Sequence, residues 1–359
     1  MPIEPAPAED TRPVRPTEQL DWLRLADYLR LHLPSRQIEG LDLSAVMEVE
    51  QFPGGHSNLT YLVRFGHVEL VLRRPPFGPV PPSAHDMARE YRWLSAMHPV
   101  FPPAPRPYLL CDDISVIGAR FYVMERRHGS VVRAEEPSGL ANRPEVRRRV
   151  SERLVDTLVE LHAIDVSRDG LSTLGKPAGF VHRQVRGWSE RWLQSKIAEI
   201  PEMDALAEWL LQRLPPDPVP PSVVHGDFKL DNVMLSGAHF DRVVAVFDWE
   251  MTALGDPLVD VGILLAYWSS VVHGQGDGQG AITSRPGWFT RDEILDRYGR
   301  LSGRDLSGIR FYEIFALFKI AVVIQQIFFR YARGQTDDPR FAHFDRRVSS
   351  LAQQAASLL

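Results

Sequence analysis

The sequence predicts an α+β chain in two unequal lobes, a small one built on an antiparallel sheet and a larger, mainly helical one. Three observations predict it. Short β-branched runs separated by glycine-bearing turns crowd the first third of the chain. Helical periodicity dominates after Arg126. One stretch, "VVHGDFKLDNVML" (Val223 to Leu235), breaks that helical part with a polar loop held between two short apolar runs.

Taken in order, "MPIEPAPAEDTRPVRP" is proline-rich, acidic near its start and without an apolar core. It reads as a flexible arm over residues 1–17, not as a signal peptide. The first lobe is expected over 18–126 and the second over 127–359. Trp22, Leu25, Ala26, Leu29 and Leu33 recur at helical spacing. From Val46, "VMEVEQF", "TYLVRF" and "VELVLRR" read as strands, separated by "PGGHSN" and by Gly66-His67. Ser83 is placed to cap a helix whose stripe is Met87, Tyr91, Leu94 and Met97. "PVFPPAPRPYLL" carries too many prolines for regular structure, and "ISVIGARFYVME" reads as a further hairpin.

In the second part, "VRRRVSERLVDTLVELHAI" is the clearest helix and Val243 to Phe247 reads as a buried strand. The longest apolar stretch, Ile314 to Phe329, contains Lys319, Gln325 and Gln326. It is too short and too polar to span a bilayer and reads as a buried helix. No internal repeat is present.

With 359 residues, 44% of them hydrophobic, the chain is long enough for two lobes with a substantial core. The mild net charge of -5 argues against a basic nucleic-acid-binding surface. A single cysteine, Cys111, excludes an intrachain disulfide framework and fits a reducing, cytoplasmic setting. The 12 histidines are scattered, with no zinc-type spacing. Neither a nucleic-acid nor a membrane partner is expected, and nothing in the sequence specifies an oligomeric state.

Asp227 and Asn232 stand five positions apart, and a second apolar run then delivers Asp248 in Asp248-Trp249-Glu250. Phosphoryl transfer from a nucleotide asks little else of a protein. One carboxylate must orient an incoming hydroxyl and accept its proton, and carboxylate and amide oxygens must hold Mg²⁺ against the phosphates. Each of the three residues is also an ordinary turn former. Their types, order and spacing between apolar runs are the protein-kinase arrangement of catalytic loop and metal-binding Asp. A Walker loop is excluded, because no Gly-x-x-x-x-Gly-Lys-Ser/Thr occurs. A dinucleotide fold fails because Gly54-Gly55 is followed by another strand, not by a helix.

On these residues the chain resembles the aminoglycoside phosphotransferase and choline-kinase-like superfamily, whose members share the kinase fold but phosphorylate small molecules. Protein kinases place Arg between the His and the Asp and use Asp-Phe-Gly. His225-Gly226-Asp227, Asp248-Trp249-Glu250 and "LGDPLVDVG" (Leu254 to Gly262) are the small-molecule version. "QVRGW" (Gln184 to Trp188) and "VLRRPP" (Val71 to Pro76) are similar to the branch fused to acyl-CoA dehydrogenases and to its stand-alone bacterial relatives. The resemblance runs from about residue 40 to about residue 350.

The resemblance implies a protein-kinase-like fold, ATP and Mg²⁺ as cofactors, and the following roles. Asp227 would be the catalytic base or hydroxyl-orienting carboxylate, and Lys229 would neutralise phosphate charge. Asn232 and Asp248 would bind Mg²⁺. Gly54, Gly55, Ser57 and Asn58 would cover the nucleotide phosphates. Arg73 falls where kinases have lysine; it keeps the charge and adds a fork, and Glu90 would be its partner. Backbone groups near Glu125 to Arg127 would meet the adenine edge. His225, Asp256 and Asp260 would brace the loop, the two aspartates by accepting its backbone N–H groups. Gln184, Arg186 and Trp188 have two readings, acceptor contact or helix packing, and Glu250 is equally open.

The partner implied is a small-molecule hydroxyl substrate. Arginines between Arg126 and Arg191 tilt the reading toward a neutral or anionic acceptor, and the branch resemblance toward a hydroxyacyl-CoA-like compound. For Arg147 to Arg149 a solvated helix face is the plainer explanation. An aminoglycoside kinase is the alternative enzyme. A nucleotide-binding protein without transfer activity is the alternative of another class, motivated by Arg73 in place of lysine.

Overall fold

The structure is a computed structural model that describes residues 10–33, 38–53, 58–78, 86–133, 135–168, 170–237, 239–268 and 282–359. The chain forms two compact units. The first comprises Met1–Ser130 with Met234–Ala238 and Val244–Glu250, and the second comprises Val131–Val233, His239–Val243 and Met251–Leu359.

The first unit begins with helix α1 (Trp22–His32), capped by the Asp21 side chain on Arg24 N–H. Strands β1 (Met47–Gln51), β2 (Leu59–Phe65) and β3 (Val68–Arg74) follow as the sequence predicts, then α2 (Met87–Met97), β4 (Pro107–Cys111) and β5 (Phe121–Glu125). They make one antiparallel sheet of order β1-β2-β3-β5-β4. Alternate residues Leu59, Tyr61, Val63 and Phe65 of β2 and Leu70 and Leu72 of β3 pack with Leu25, Leu29 and Leu33 into this unit's core. A period of two sends their neighbours to the opposite face. Arg73 therefore leaves the core face and lies in register with Tyr122 of β5.

Three expectations change here. Helix α2 is capped by Asp86, whose side chain accepts from Arg89 N–H; Ser83 lies outside the described residues. The partner of β5 is not "ISVIGAR" but Pro107–Cys111, inside the stretch judged too proline-rich for regular structure. Proline is tolerated there because Pro107 is the first residue of an edge strand, where a missing N–H costs no ladder bond. The described part of the proline-rich arm is tethered, since Arg12 exchanges backbone hydrogen bonds of 2.9 and 2.7 Å with Gln51 of β1.

The chain continues through β6 (Ser130–Val131), α3 (Pro144–His162), α4 (Phe180–Ser195) and α5 (Pro201–Gln212). Strand β7 (Ser222–Val224), β8 (Val233–Leu235), β9 (Val243–Val246) and β10 (Ala253–Gly255) come next, then α6 (Leu258–Trp268), α7 (Arg291–Ser302), α8 (Ile309–Ala332) and α9 (Phe344–Ser357). In the second unit β7 pairs antiparallel with β10, and α8 packs on α4, α6 and α9. Among the described residues α8 is the one helix long and apolar enough to cross a membrane, and 72% of its most apolar window is buried within the chain. The arginine run of α3 is not a uniform solvated face. Arg147 is buried and makes a bidentate pair with Glu136 at 2.8 Å, while Arg148 stays exposed.

Candidate active site

The loop between β7 and β8 is built around Gly226, whose φ of +83° is a left-handed conformation. A Cβ there would also lie 2.8 Å from the Met251 carbonyl oxygen, so only glycine fits. Backbone N–H groups of His225 and Gly226 donate to the two oxygens of Asp260 at 2.6 and 2.7 Å. Asp260 is fully buried and also faces His162 Nε2 at 3.2 Å. Burial works against its charge, but His162, His225 and the Gly226 N–H outweigh it and hold the carboxyl below its ordinary range. Asp227 N–H donates to His225 Nδ1 at 3.2 Å, so His225 braces the loop, as the resemblance implies.

The side chains carry the loop's chemistry. Asn232 Nδ2 donates to both the carbonyl oxygen and Oδ2 of Asp227, each at 2.9 Å. Lys229 Nζ lies 2.9 Å from the same Oδ2 and 4.5 Å from the Tyr267 ring centroid. Burial opposes the lysine's charge, yet Asp227 outweighs it and keeps the ammonium protonated. An amide and an ammonium thus fix one oxygen of the Asp227 carboxylate.

In the first unit, Asp248 sits at a φ of +68°, a strained conformation for a residue with a Cβ. Its Oδ1 accepts from Arg73 Nη2 at 2.6 Å. Arg73 Nε also lies 3.2 Å from Glu90 Oε2, an ion contact without hydrogen-bond alignment. One guanidinium therefore bridges the two carboxylates, and Arg73 stays charged because Glu90 and Asp248 overcome its desolvation. Desolvation, reinforced by Asp248 and Glu250, pushes the Glu90 carboxyl up to about 7 although Arg73 opposes this. These groups line a small cavity with Tyr122, Met124 and Phe247. Asn58 Oδ1 is buried without a hydrogen-bond partner among the described residues, while the Tyr122 hydroxyl faces the Glu90 carboxylate. Asn58 Nδ2 meets Glu250 Oε2 at 3.2 Å.

A family model described as the phosphotransferase enzyme family matches residues 48–304. The chain belongs to that family. It is 35% identical over 353 residues to acyl-CoA dehydrogenase family member 11 of Rattus norvegicus, a match covering 97% of this chain and 44% of the relative. The chain thus spans less than half the length of that curated relative. A solved structure from Ralstonia eutropha, provisionally described as an aminoglycoside phosphotransferase, superposes with a TM-score of 0.77 at 30% identity, covering 95% of this chain and 98% of the other. An aminoglycoside phosphotransferase solved with AMP-PNP and hygromycin B shares the fold, at a TM-score of 0.54 and 16% identity over 86% of this chain and 94% of its own. The fold is the kinase-like α+β fold of phosphotransferases.

Within the chain, the other anticipated site residues fall as follows. Gly54, Gly55 and Ser57 lie outside the described residues. Glu125 uses its backbone N–H on the Arg106 carbonyl at 2.8 Å, and its side chain pairs with Arg127 at 3.0 Å. Asp256 does not brace the loop. It accepts from Leu258 N–H at 3.0 Å and from the Tyr312 hydroxyl, so it holds the start of α6 instead. Arg186 is exposed and pairs with Glu190 on its own helix, and Trp188, whose indole N–H meets Gln184 at 3.3 Å, is buried.

Sequence reasoning missed Lys319. This residue of α8 is 6% exposed, and its Nζ donates to the Gly226 carbonyl oxygen. The signal was present as a lone lysine in the longest apolar run, a place where an uncompensated charge is costly.

Proposed function

We propose that this phosphotransferase moves the γ-phosphoryl group of Mg-ATP to a hydroxyl of a small, neutral or anionic molecule. The observation that carries the reading is the Asp227 carboxylate, held on a clamped loop with Oδ2 engaged by Asn232 and Lys229. Oδ1 is then the oxygen available to orient an acceptor hydroxyl and take its proton. Lys229 stands beside it to meet phosphate charge.

The residues present fit the cofactors. Asn232 offers its amide oxygen, since the nitrogen is spent on Asp227, and Asp248 offers a carboxylate; both are hard donors suited to Mg²⁺. When bound, Mg²⁺ would neutralise the charge of the phosphate chain. The buried Asn58 Oδ1 has no hydrogen-bond partner among the described residues, a group that a bound ligand can satisfy. Arg73 makes the two carboxylate contacts that a phosphate-positioning cation needs, which weighs against a protein that only binds nucleotide.

For the acceptor, a cleft in the second unit is lined by Lys229, Arg133, Asp231, Leu230, Leu264, Tyr267 and Trp268, with Ile282 and Thr283. Lys229 is paired with Asp227 and Arg133 is balanced by Asp231, so the cleft has no acidic excess, and its largely apolar lining suits a neutral or anionic molecule with an apolar body better than a polycation. The relatives named as acyl-CoA dehydrogenases support a hydroxyacyl-CoA-like acceptor. The Ralstonia structure favours the second reading, an aminoglycoside. Purified protein, Mg²⁺ and γ-labelled ATP presented with hydroxyacyl-CoAs, free hydroxy acids and aminoglycosides decides between them. The account expects label in an anionic acceptor; label only in aminoglycosides would overturn the acceptor reading, and none in any acceptor or in water would overturn the enzyme reading.

A further inference from the structure

Lys319 stands out because its buried ammonium points at the backbone of the loop that carries Asp227, 93 positions away. Three successive peptide groups of that loop are held. The N–H groups of His225 and Gly226 go to Asp260, the Gly226 carbonyl goes to Lys319, and the Asp227 N–H goes to His225 Nδ1. The peptide joining Gly226 to Asp227 is therefore gripped at both its oxygen and its nitrogen. Its orientation sets the direction of the Asp227 Cα–Cβ bond. Gly226, in its left-handed conformation, has no side chain of its own to lock that orientation.

The surroundings of Lys319 are those of a charge kept in place by design of the fold. The Trp188 ring centroid lies 5.4 Å from Nζ and shields it from water. Burial pushes the amine down to about 8, while Asp227 on the loop and Asp260 on α6 favour its charge, and Lys229 on the loop and Arg191 on α4 oppose it. Helix α8 buries two other polar side chains, Glu313 paired with Arg291 and Gln325 donating to the Ser195 carbonyl, and of the three it is Lys319 that reaches the loop carrying Asp227.

We propose that Lys319 is a positioning residue for phosphoryl transfer, its ammonium holding the Gly226 carbonyl so that Asp227 presents its carboxylate in one direction. This rests on the reading of Asp227 as the group that orients the hydroxyl. It gives α8 a part in the reaction without contact with either substrate.

The test compares wild type with Lys319→Met, which keeps length and removes charge, and Lys319→Arg, which keeps charge. Turnover is read as Mg-ATP-dependent phosphate release to water, per folded molecule, across pH 6 to 10. Backbone hydrogen exchange of residues 223–235 is read at temperatures of matched stability. The expected result for Lys319→Met is a 10- to 100-fold fall in kcat, a KM for Mg-ATP within about threefold, and faster exchange confined to the loop. Lys319→Arg is expected to recover most of the turnover and to lose the wild type's decline near pH 8. If Lys319→Met fails to fold, Lys319→Arg and Lys319→Gln carry the same comparison. A fall in melting temperature with kcat per folded molecule and loop exchange both unchanged would overturn the proposal. The exchange readout needs no acceptor, and an Asp227→Asn control that keeps full turnover would indict the catalytic reading itself.

Discussion

The clusters around Asp227 and Asp248 are finished to different degrees. Around Asp227, no buried side-chain atom of residues 225–232 is left without a hydrogen bond, and the backbone N–H groups of 225, 226 and 227 all have side-chain acceptors. Around Asp248, Asn58 Oδ1 is buried without a hydrogen-bond partner among the described residues, and the 3.2 Å contact of Arg73 Nε with Glu90 Oε2 is an ion pair without hydrogen-bond alignment. Asp248 is backbone-strained, and Glu90 is pushed up to about 7. A buried polar atom without a partner costs about 1–3 kcal/mol. The first cluster thus spends its bonds on holding one carboxylate still. The second is held less completely, with a strained Asp248, a raised Glu90 and one buried amide oxygen unsatisfied.

That contrast can be broken by mutation. The largest effect is expected for Asp260→Ala, which deprives two loop N–H groups of their acceptor and leaves His162 facing a void. Chemical denaturation should show a loss of about 3–5 kcal/mol, and a loss under 1 kcal/mol would mean the loop is not held as tightly as its bonds imply. Next comes the pH dependence of Lys319. Its amine is depressed from 10.5 to about 8, so between those values the unfolded chain binds more protons than the folded one and stability rises with pH. Wild type should gain on Lys319→Met by up to roughly 3 kcal/mol across that window; a flat difference would contradict the burial of this charge.

The open cluster makes the opposite prediction. Tyr122→Phe removes a hydroxyl that faces Glu90 without a well-aligned hydrogen bond, so stability should fall by at most about 1 kcal/mol. Calorimetry with Mg-ATP should nonetheless detect weaker binding in that variant. The smallest effect belongs to Arg186→Ala, whose exposed pair with Glu190 is worth at most about 0.5 kcal/mol, with turnover unchanged.

What could be read from the sequence follows from distance along the chain. Asp227 and Asn232 lie within six residues and Asp248 follows a second apolar run, so their order and spacing could suggest a catalytic loop from the sequence, and the loop between apolar runs is present in the structure. Arg73 and Glu90 meet from different elements and were legible only through the family resemblance. Asp260 was placed correctly as a brace, whereas Asp256, four positions earlier, serves the start of α6. Periodicity could not separate two carboxylates of the same motif.

Other misreadings have local causes. Proline count hid β4, because the cost of proline depends on whether its strand is an edge. Arg147 looked like part of a charged helix face, but its partner Glu136 lies outside the helix and buries it. Lys319 stands out in the sequence only as a lone charge in an apolar run, and its contact with Gly226 exists only once α8 is folded against the loop.

The comparison of Asp227→Asn with Asp248→Asn tests the central claim most directly, by titrating both with ATP, with and without Mg²⁺, and measuring turnover of each. The account predicts that Asp227→Asn binds Mg-ATP as wild type does and loses roughly a thousandfold in turnover, while Asp248→Asn loses the Mg²⁺ dependence of binding itself. Undiminished turnover in Asp227→Asn, or identical binding and turnover in the two variants, would contradict it.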